Sequence, residues 1–430
     1  MLCKENNSIT NFEMPSEWSY RGEGNCNLVL SLPKTRQILR IRKIDRPKTL
    51  IQWLIVWISD IFYWYCGKGL KDELRDLKFY SAIMRPLIGI KYTSEANQVV
   101  LTRKQIKIVE KELSKHRPDF RKNKILQCGR AALFDDFAFL CEDEYEYLPF
   151  EMEKGQIKQI SKYCPEDLFS GNALRMRNAI KSLIKNPQNN FRIFKNGVLC
   201  YGEKVDTDFD NIVPALFDVE NEGTLRLQEE FCLLIQKCLV TNFININFTQ
   251  TFEEKLFCEW NKIIQESSID TILPKGCVLE KILSVQMLDT EGSYYYHKLL
   301  NKESLKDWEY VNLLLNRIKS NDTCLKCTIM MLASTNRIKD ELDLAFVPYM
   351  ISAIAQDCSL MITLKKIKDN ISDDLELKNI IKTRFGHYLV NIGVFDLYPK
   401  PLSTIRKHYR RNKDMYQAYI RAKEKCTTGS

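Results

Sequence analysis

The chain has 430 residues, 45% hydrophobic and 28% charged, which is enough for two or three domains around a large core and excludes a collagenous or disordered chain. Its formal net charge of +9 favours an anionic partner without naming one. The 15 cysteines are scattered, the N-terminus is polar and only His116, His297, His387 and His408 are present; this points to reduced thiols in the cytosol or nucleus and leaves few ways to build a histidine-based catalyst.

Residues 1–15 are polar and expected to be loose. "RGEGNCNLVLSL" follows, with two glycines around an acid, and "NLVLSL" and "QILRIRK" read as strands joined by "PKTR". The glycines precede a strand, unlike the dinucleotide-binding fingerprint, and no Gly-Lys-Ser/Thr ending marks a Walker loop. A glycine loop between strands suits a lid over nucleotide phosphates, and it suits a plain hairpin turn equally well. Thr49 to Gly67 is the most apolar segment, broken by Gln52 and Asp60. Its length approaches a membrane span, but it is read as a helix buried in the core or between lobes. "QIKIVEKELSKHRPDFRKN" starts as an amphipathic helix and stops at Pro118.

The acidic run "CEDEYEYLPFE" comes next, then "CPEDLFSG" ending in Gly171, the helix "NALRMRNAIKSLIKN" and the strand "FRIFKNG" with a turn at Asn196–Gly197. Glu203 to Gly223 reads as a loop, and helices are expected over most of 225–265 and 276–320. Cys324 and Cys327 in "CLKC" have no second pair to complete a zinc site. "VPYMISAIAQDCSLMITL" and "LVNIGVFDLYPKPL" are apolar β-like runs that carry Asp357 and Asp396, and a basic helix closes the chain.

A carboxylate in an apolar run needs a cation, a metal or several donors beside it. Two such strands side by side would present paired carboxylates to Mg2+, as phosphoryl transfer requires; a salt bridge or a cap for each is the competing reading. Lys400, Arg406, Lys407, Arg410, Arg411 and Lys413 follow Asp396 with no acid among them, a density that suits a clustered phosphate ligand or a nucleic acid as well as a solvated helix face. In "QNNFRIF", Asn189, Asn190 and Arg192 stand together, and strand alternation would point Arg192 away from Phe191 and Ile193.

Taken together, "EWSYRGEGNCNLVL", "LRIRK", "ISKYCPEDLFSG", "NNFRIFKNG", "LPKGCVLEKILSVQMLD", "QDCSLMI" and "FDLYPKPL" resemble, in the same order, the signatures of the inositol-pentakisphosphate 2-kinase family, from about Glu17 to about Tyr419. The resemblance implies an α+β fold of two lobes with ATP between them. It implies ATP and Mg2+ as cofactors and transfer of a phosphate to the 2-hydroxyl of inositol pentakisphosphate. Gly22, Glu23, Gly24 and Asn27 would form the lid over ATP, and Arg40 would take the place of the strand lysine of other kinases. Asp357 would be the base, also close to Mg2+, and Asp396 a Mg2+ ligand. Asn190, Arg192 and Lys400 would hold inositol phosphates, and Arg121 a further one. The expected division is a flexible stretch 1–15, an N-terminal lobe 16–150, a C-terminal lobe 151–425 and a tail 426–430. A monomer of nucleus and cytoplasm, without nucleic acid or membrane, is expected.

The sequence departs from the family where a Glu-x-Lys-Pro-Lys run should precede "ISKYCP"; "CEDEYEYLPFEMEKGQIKQISK" stands there, with Lys154, Lys158 and Lys162 as candidate substitutes and Glu151 near the place of a further lysine. Tyr398 occupies a position where the family often has a second aspartate, and the stretch 49–67 lacks the polar character expected there. The alternative reading is therefore an impaired isoform or pseudokinase that binds ATP or inositol phosphates without turnover.

Overall fold

The computed structural model describes residues 10–23, 27–35, 37–66, 71–117, 119–135, 150–153, 156–159, 162–187, 191–195, 198–203, 205–219, 222–243, 272–302, 306–320, 345–367 and 379–428. The fold is mixed helix and sheet, of α+β type, with mostly antiparallel strands. It divides into two compact units, residues 1–82 with 94–144, and residues 83–93 with 145–430. The segment 83–93 thus belongs with the C-terminal part of the chain.

The first unit is built on one sheet. Strands β1 (Thr10–Asn11), β2 (Ser19–Glu23), β3 (Asn27–Leu32), β4 (Gln37–Asp45), β5 (Ala96–Leu101), β6 (Lys124–Leu126) and β7 (Gly129–Asp135) lie in the order β1-β5-β7-β4-β3-β2, with β6 beside β4. The strands read from "NLVLSL" and "QILRIRK" are β3 and β4, an antiparallel pair in register from Asn27↔Arg42 to Leu32↔Gln37. Helices α1 (Leu50–Cys66), α2 (Lys71–Phe79), α3 (Arg85–Ile88) and α4 (Arg103–Leu113) are the first four, α3 belonging to the second unit.

Period-2 alternation gives the sheet two faces. Leu28, Leu30, Leu39 and Ile41 point to one, where Ile106, Val109 and Leu113 of α4 complete a buried core. A capping box starts α4: the Thr102 side chain accepts from Gln105 N, and Gln105 Oε1 accepts from Thr102 N. The other face carries Arg42, which donates to Asp76 of α2 at 3.0 Å, and Phe134, edge-on to Tyr80.

Helix α1 forms where expected, yet its described side chains are not buried. Leu50, Ile51, Trp53, Leu54, Ile55, Trp57 and Ile58 are all exposed. Among the described residues no helix is long and apolar enough to cross a membrane.

The second unit contains the hairpins β8 (Phe150–Glu153) with β9 (Gln156–Gln159) and β10 (Ile193–Lys195) with β11 (Val198–Tyr201). Strands β12 (Ser359–Ile367), β13 (Ile380–Thr383) and β14 (Gly386–Phe395) make a sheet of order β12-β14-β13. Its described helices are α5 (Pro165–Leu168), α6 (Ala173–Lys185), α7 (Phe209–Phe217), α8 (Thr224–Val240), α9 (Val278–Gln286), α10 (Gly292–Leu300), α11 (Glu309–Ser320), α12 (Val347–Gln356) and α13 (Ser403–Thr428), besides α3. Helix α7 corrects the loop reading of 203–223: Asp208 caps it, and Phe209, Ile212, Val213 and Phe217 form one buried stripe. Rings of Phe191, Tyr201, Phe209 and Phe231 pack edge to face. Residues 83–93 are tied down by Lys91, whose ammonium donates to Asn242 Oδ1, to Phe243 O at 3.1 Å and to Gly276 O at 2.8 Å. Burial is the main reason that Lys91 titrates lower, at about 8, with the Lys281 charge adding to it.

Candidate active site

β12 and β14 run antiparallel, with Ser359 opposite Phe395 at one end and Ile367 opposite His387 at the other. Asp357 precedes the start of β12 and Asp396 follows the end of β14, so both carboxylates come to the same end of one ladder. The residues before Asp357 are a buried helix, α12, and not a strand. The run is apolar almost throughout, with only Ser352 and Gln356 polar, and such a run shows neither period clearly.

Asp357 stands at the C-cap of α12, its N–H bonded to Ile354 O at 3.2 Å. A carboxylate there faces the negative end of the helix dipole, an unfavourable place for it. It is exposed rather than buried, and Lys400 supplies the offsetting charge through a direct ion pair with Asp357 Oδ2. Lys400 itself is only 14% exposed. Its backbone carbonyl accepts from Tyr310 Oη at 2.8 Å, while Asp307 accepts from Leu402 N at 3.0 Å and Ser403 N at 2.8 Å, which anchors the segment from Lys400 into α13.

Asp396 has a left-handed backbone, φ 63°, and its Oδ2 accepts from Ser359 Oγ at 3.0 Å. Burial first, and then the charge of Asp396, push the Cys358 thiol up to about 12, so it stays protonated. Behind the loop, α13 presents His408, buried and bonded to Tyr349 Oη at 3.0 Å. Burial, followed by the positive charges of Arg411, Lys400 and Lys407, lowers His408 to about 4. Among the described residues no cluster of three or more His, Cys, Asp or Glu could hold a metal. Two carboxylates at one strand end nevertheless fit Mg2+, which takes one or two carboxylates and completes its shell with substrate phosphates and water.

In the first unit, Gly22 pairs with Val29, Val29 with Arg40 and Arg40 with Ala132, a single row across the sheet. A register irregularity between Tyr20 and Gly22 sets this row, and Asn27, opposite Arg42, lies on the same face. Glu23 is one residue on and so faces α4. There its carboxylate is buried, 2.6 Å from Lys43 Nζ and bonded by Arg117 Nε at 2.9 Å and Nη2 at 3.0 Å. Burial works against its charged form, but the bonds from Arg117 and Lys43 outweigh it and hold Glu23 below the ordinary carboxylate range.

A family profile described as inositol-pentakisphosphate 2-kinase matches residues 20–152 and 149–414. The chain belongs to that enzyme family. An inositol-pentakisphosphate 2-kinase of Danio rerio is 25% identical over 95% of this chain and 94% of its own length. One of Arabidopsis thaliana is 24% identical over 94% of each. One of Drosophila melanogaster reaches 42% identity over 85 residues, 20% of this chain and 14% of its own length.

Among the residues that the 2-kinase resemblance singled out, the structure brings Asp357, Asp396 and Lys400 to one ladder end, and Gly22, Asn27 and Arg40 to one sheet face. It turns the Glu23 side chain to the opposite face, where it ties the end of β2 to Lys43 of β4 and to Arg117. Arg121 lies in the first unit, close enough to Lys43 for its charge to help lower that lysine, after burial. Arg192 precedes β10 instead of alternating within it, its stem beside Gly202, where an added Cβ would lie 3.2 Å from Arg192 Cγ. Gly24 and Asn190 lie outside the described residues. Sequence reasoning missed Ser359, Asp307 and Tyr310, since each is tied to the site by a contact far along the chain.

Proposed function

We propose that this 2-kinase relative transfers the γ-phosphoryl group of ATP to the 2-hydroxyl of inositol pentakisphosphate, giving inositol hexakisphosphate and ADP. The observation that carries the reading is the meeting of Asp357, Asp396 and Lys400 at one end of the β12–β14 ladder. Asp357 takes the proton from the 2-hydroxyl as its oxygen bonds to phosphorus and the bond to ADP breaks. Asp357 and Asp396 would hold Mg2+, which supplies neutralisation of the triphosphate charge. Lys400 exchanges Asp357 for a phosphate of the inositol, and Arg192, Asn190 and Arg121 hold others. Gly22, Gly24, Asn27 and Arg40 belong to the ATP side of a two-lobed kinase, with Glu23 tying down the end of β2. A monomer working in nucleus and cytoplasm fits this chemistry.

A second reading, an inositol phosphate binder without turnover, is supported by the sequence: ahead of "ISKYCP", where the resemblance leads one to expect a Glu-x-Lys-Pro-Lys run, the chain reads "CEDEYEYLPFEMEKGQIKQISK". A lost electrostatic donor at a transferring group costs roughly 10²- to 10³-fold in rate. The test is turnover of purified chain with Mg-ATP and inositol pentakisphosphate, the products resolved by anion exchange. Hexakisphosphate that disappears in Asp357→Asn supports the kinase. Near-normal turnover in Asp357→Asn removes Asp357 from the mechanism, and a folded chain that binds both ligands without product supports the second reading.

A further inference from the structure

Tyr388, Val390, Ile392 and Val394 of β14 are all buried on one face; of the residues between them Leu389 is half-buried and Asn391 exposed, and Gly393, with no side chain, is buried too. Continued for one more residue, the strand would send Asp396 inward with Val394. The left-handed backbone at Asp396, φ 63°, prevents this. That conformation is uncommon outside glycine, although aspartate reaches it more readily than most residues, and strain of this kind persists where the surroundings fix it. Directly opposed residues share a face, so Ser359 is on the outward side with Phe395. The hydroxyl that receives the turned-out carboxylate is therefore supplied by the facing strand: Ser359 Oγ donates to Asp396 Oδ2 at 3.0 Å.

We propose that Ser359 is a positioning residue, which holds one oxygen of Asp396 by its hydroxyl and so aims the other at a divalent cation. This rests on the reading of Asp396 as a metal ligand. A hydrogen bond to one carboxylate oxygen fixes the plane of the group and so the direction of the other oxygen, the usual task of a residue behind a metal-ligating group, whose loss costs on the order of 10- to 100-fold in metal affinity. Ser359 opens β12, where a β-branched hydroxyl fits the strand equally well, so Ser359→Thr preserves the bond and Ser359→Ala removes it.

The experiment titrates Mn2+ into the full chain, in the presence of a non-hydrolysable ATP analogue, by electron paramagnetic resonance. It compares wild type, Ser359→Ala, Ser359→Thr and Asp396→Asn, with thermal unfolding to select a temperature at which all are folded. The expected result is Mn2+ affinity about 10-fold weaker in Ser359→Ala and restored in Ser359→Thr. Where the chain turns over, the Mg2+ concentration for half-maximal rate should rise in the same ratio. Weak binding in Asp396→Asn with wild-type binding in Ser359→Ala overturns the proposal and leaves the metal reading standing. Equal Mn2+ binding in wild type and Asp396→Asn overturns the metal reading and the proposal with it.

Discussion

Replacing Glu23 by glutamine tests whether this residue anchors the end of β2. Glu23 is buried with its two cationic partners: the Lys43 side chain is 0% exposed and that of Arg117 8%. Removing one member of a buried ion pair typically costs about 3 to 5 kcal/mol, because the remaining charge stays out of water without compensation. Arg117 keeps part of its support, as its Nη2 also donates to the carbonyls of Arg121 at 2.9 Å and Lys124 at 3.0 Å. Lys43 is the member at risk: burial already lowers its pKa, Glu23 opposes that shift, and Arg121 and Arg117 add to it. A glutamine amide also turns two donors toward two donors. The expected loss is therefore about 3 kcal/mol for the first unit, read from urea unfolding at pH 7. Glu23→Gln combined with Lys43→Met should recover about half of it, since the stranded charge is gone. The pH dependence has a definite sign. A carboxylate whose folded pKa is depressed contributes stability above its unfolded pKa and loses it as pH falls through the folded value. The gap between wild type and Glu23→Gln should thus close only in acid. A loss under about 1 kcal/mol at pH 7 would refute the anchor.

Lys400→Met should weaken inositol pentakisphosphate binding by roughly 10-fold, the value of one charge-assisted phosphate contact, with ATP affinity unchanged; equal loss for both ligands in calorimetry would contradict the assignment. For His408, a folded pKa of about 4 against 6.5 means that the unfolded chain takes up the proton first, so stability falls as pH drops from 6.5 toward 4. The deficit is at most about 3 kcal/mol, less what solvent screens from Arg411, Lys400 and Lys407. His408→Gln should lose this slope, so the variant gains on wild type between pH 7 and pH 5 in urea unfolding; parallel curves would count against a buried neutral imidazole.

The parts of the fold that were legible in the sequence have a local period. β3 and β4 alternate, and α4 shows Ile106, Val109 and Leu113 at helical spacing before Pro118. Where nearly every residue is apolar the period vanishes, which is why Val347–Gln356, polar only at Ser352 and Gln356, read as β-like although it is α12. Helix α7 carried a stripe at Phe209, Ile212, Val213 and Phe217, but the acids around it concealed it. Helix α1 was legible as a helix and not in its exposure, because hydrophobicity states a preference for burial and not whether a neighbouring surface exists to meet it. At the site, the residue types of Asp357, Asp396 and Lys400 were legible, and the face on which Glu23 lies was not. That face depends on the register of β2 with β3, shifted at Arg21, which no local pattern announces.

The same dependence on register explains why the ladder end suits paired carboxylates. Antiparallel pairing brings the start of one strand to the end of its neighbour, so residues far apart in the chain meet without a long loop. The register Ser359↔Phe395 is in turn enforced by burial, since a slip of one residue would turn Tyr388, Val390, Ile392 and Val394 out of the core. Core packing therefore sets which residues emerge at the ladder end, and the left-handed residue decides how they leave it. Asp396→Gly should keep the turn, because glycine adopts this backbone freely, and remove only the carboxylate. Asp396→Val removes the carboxylate and also opposes the turn, since a β-branched side chain resists positive φ. If thermal unfolding finds Asp396→Gly close to wild type and Asp396→Val well below it, the backbone is held by the fold and the carboxylate is not needed for stability. Equal destabilisation in both would mean that the carboxylate itself, through Ser359, holds the strand ends together.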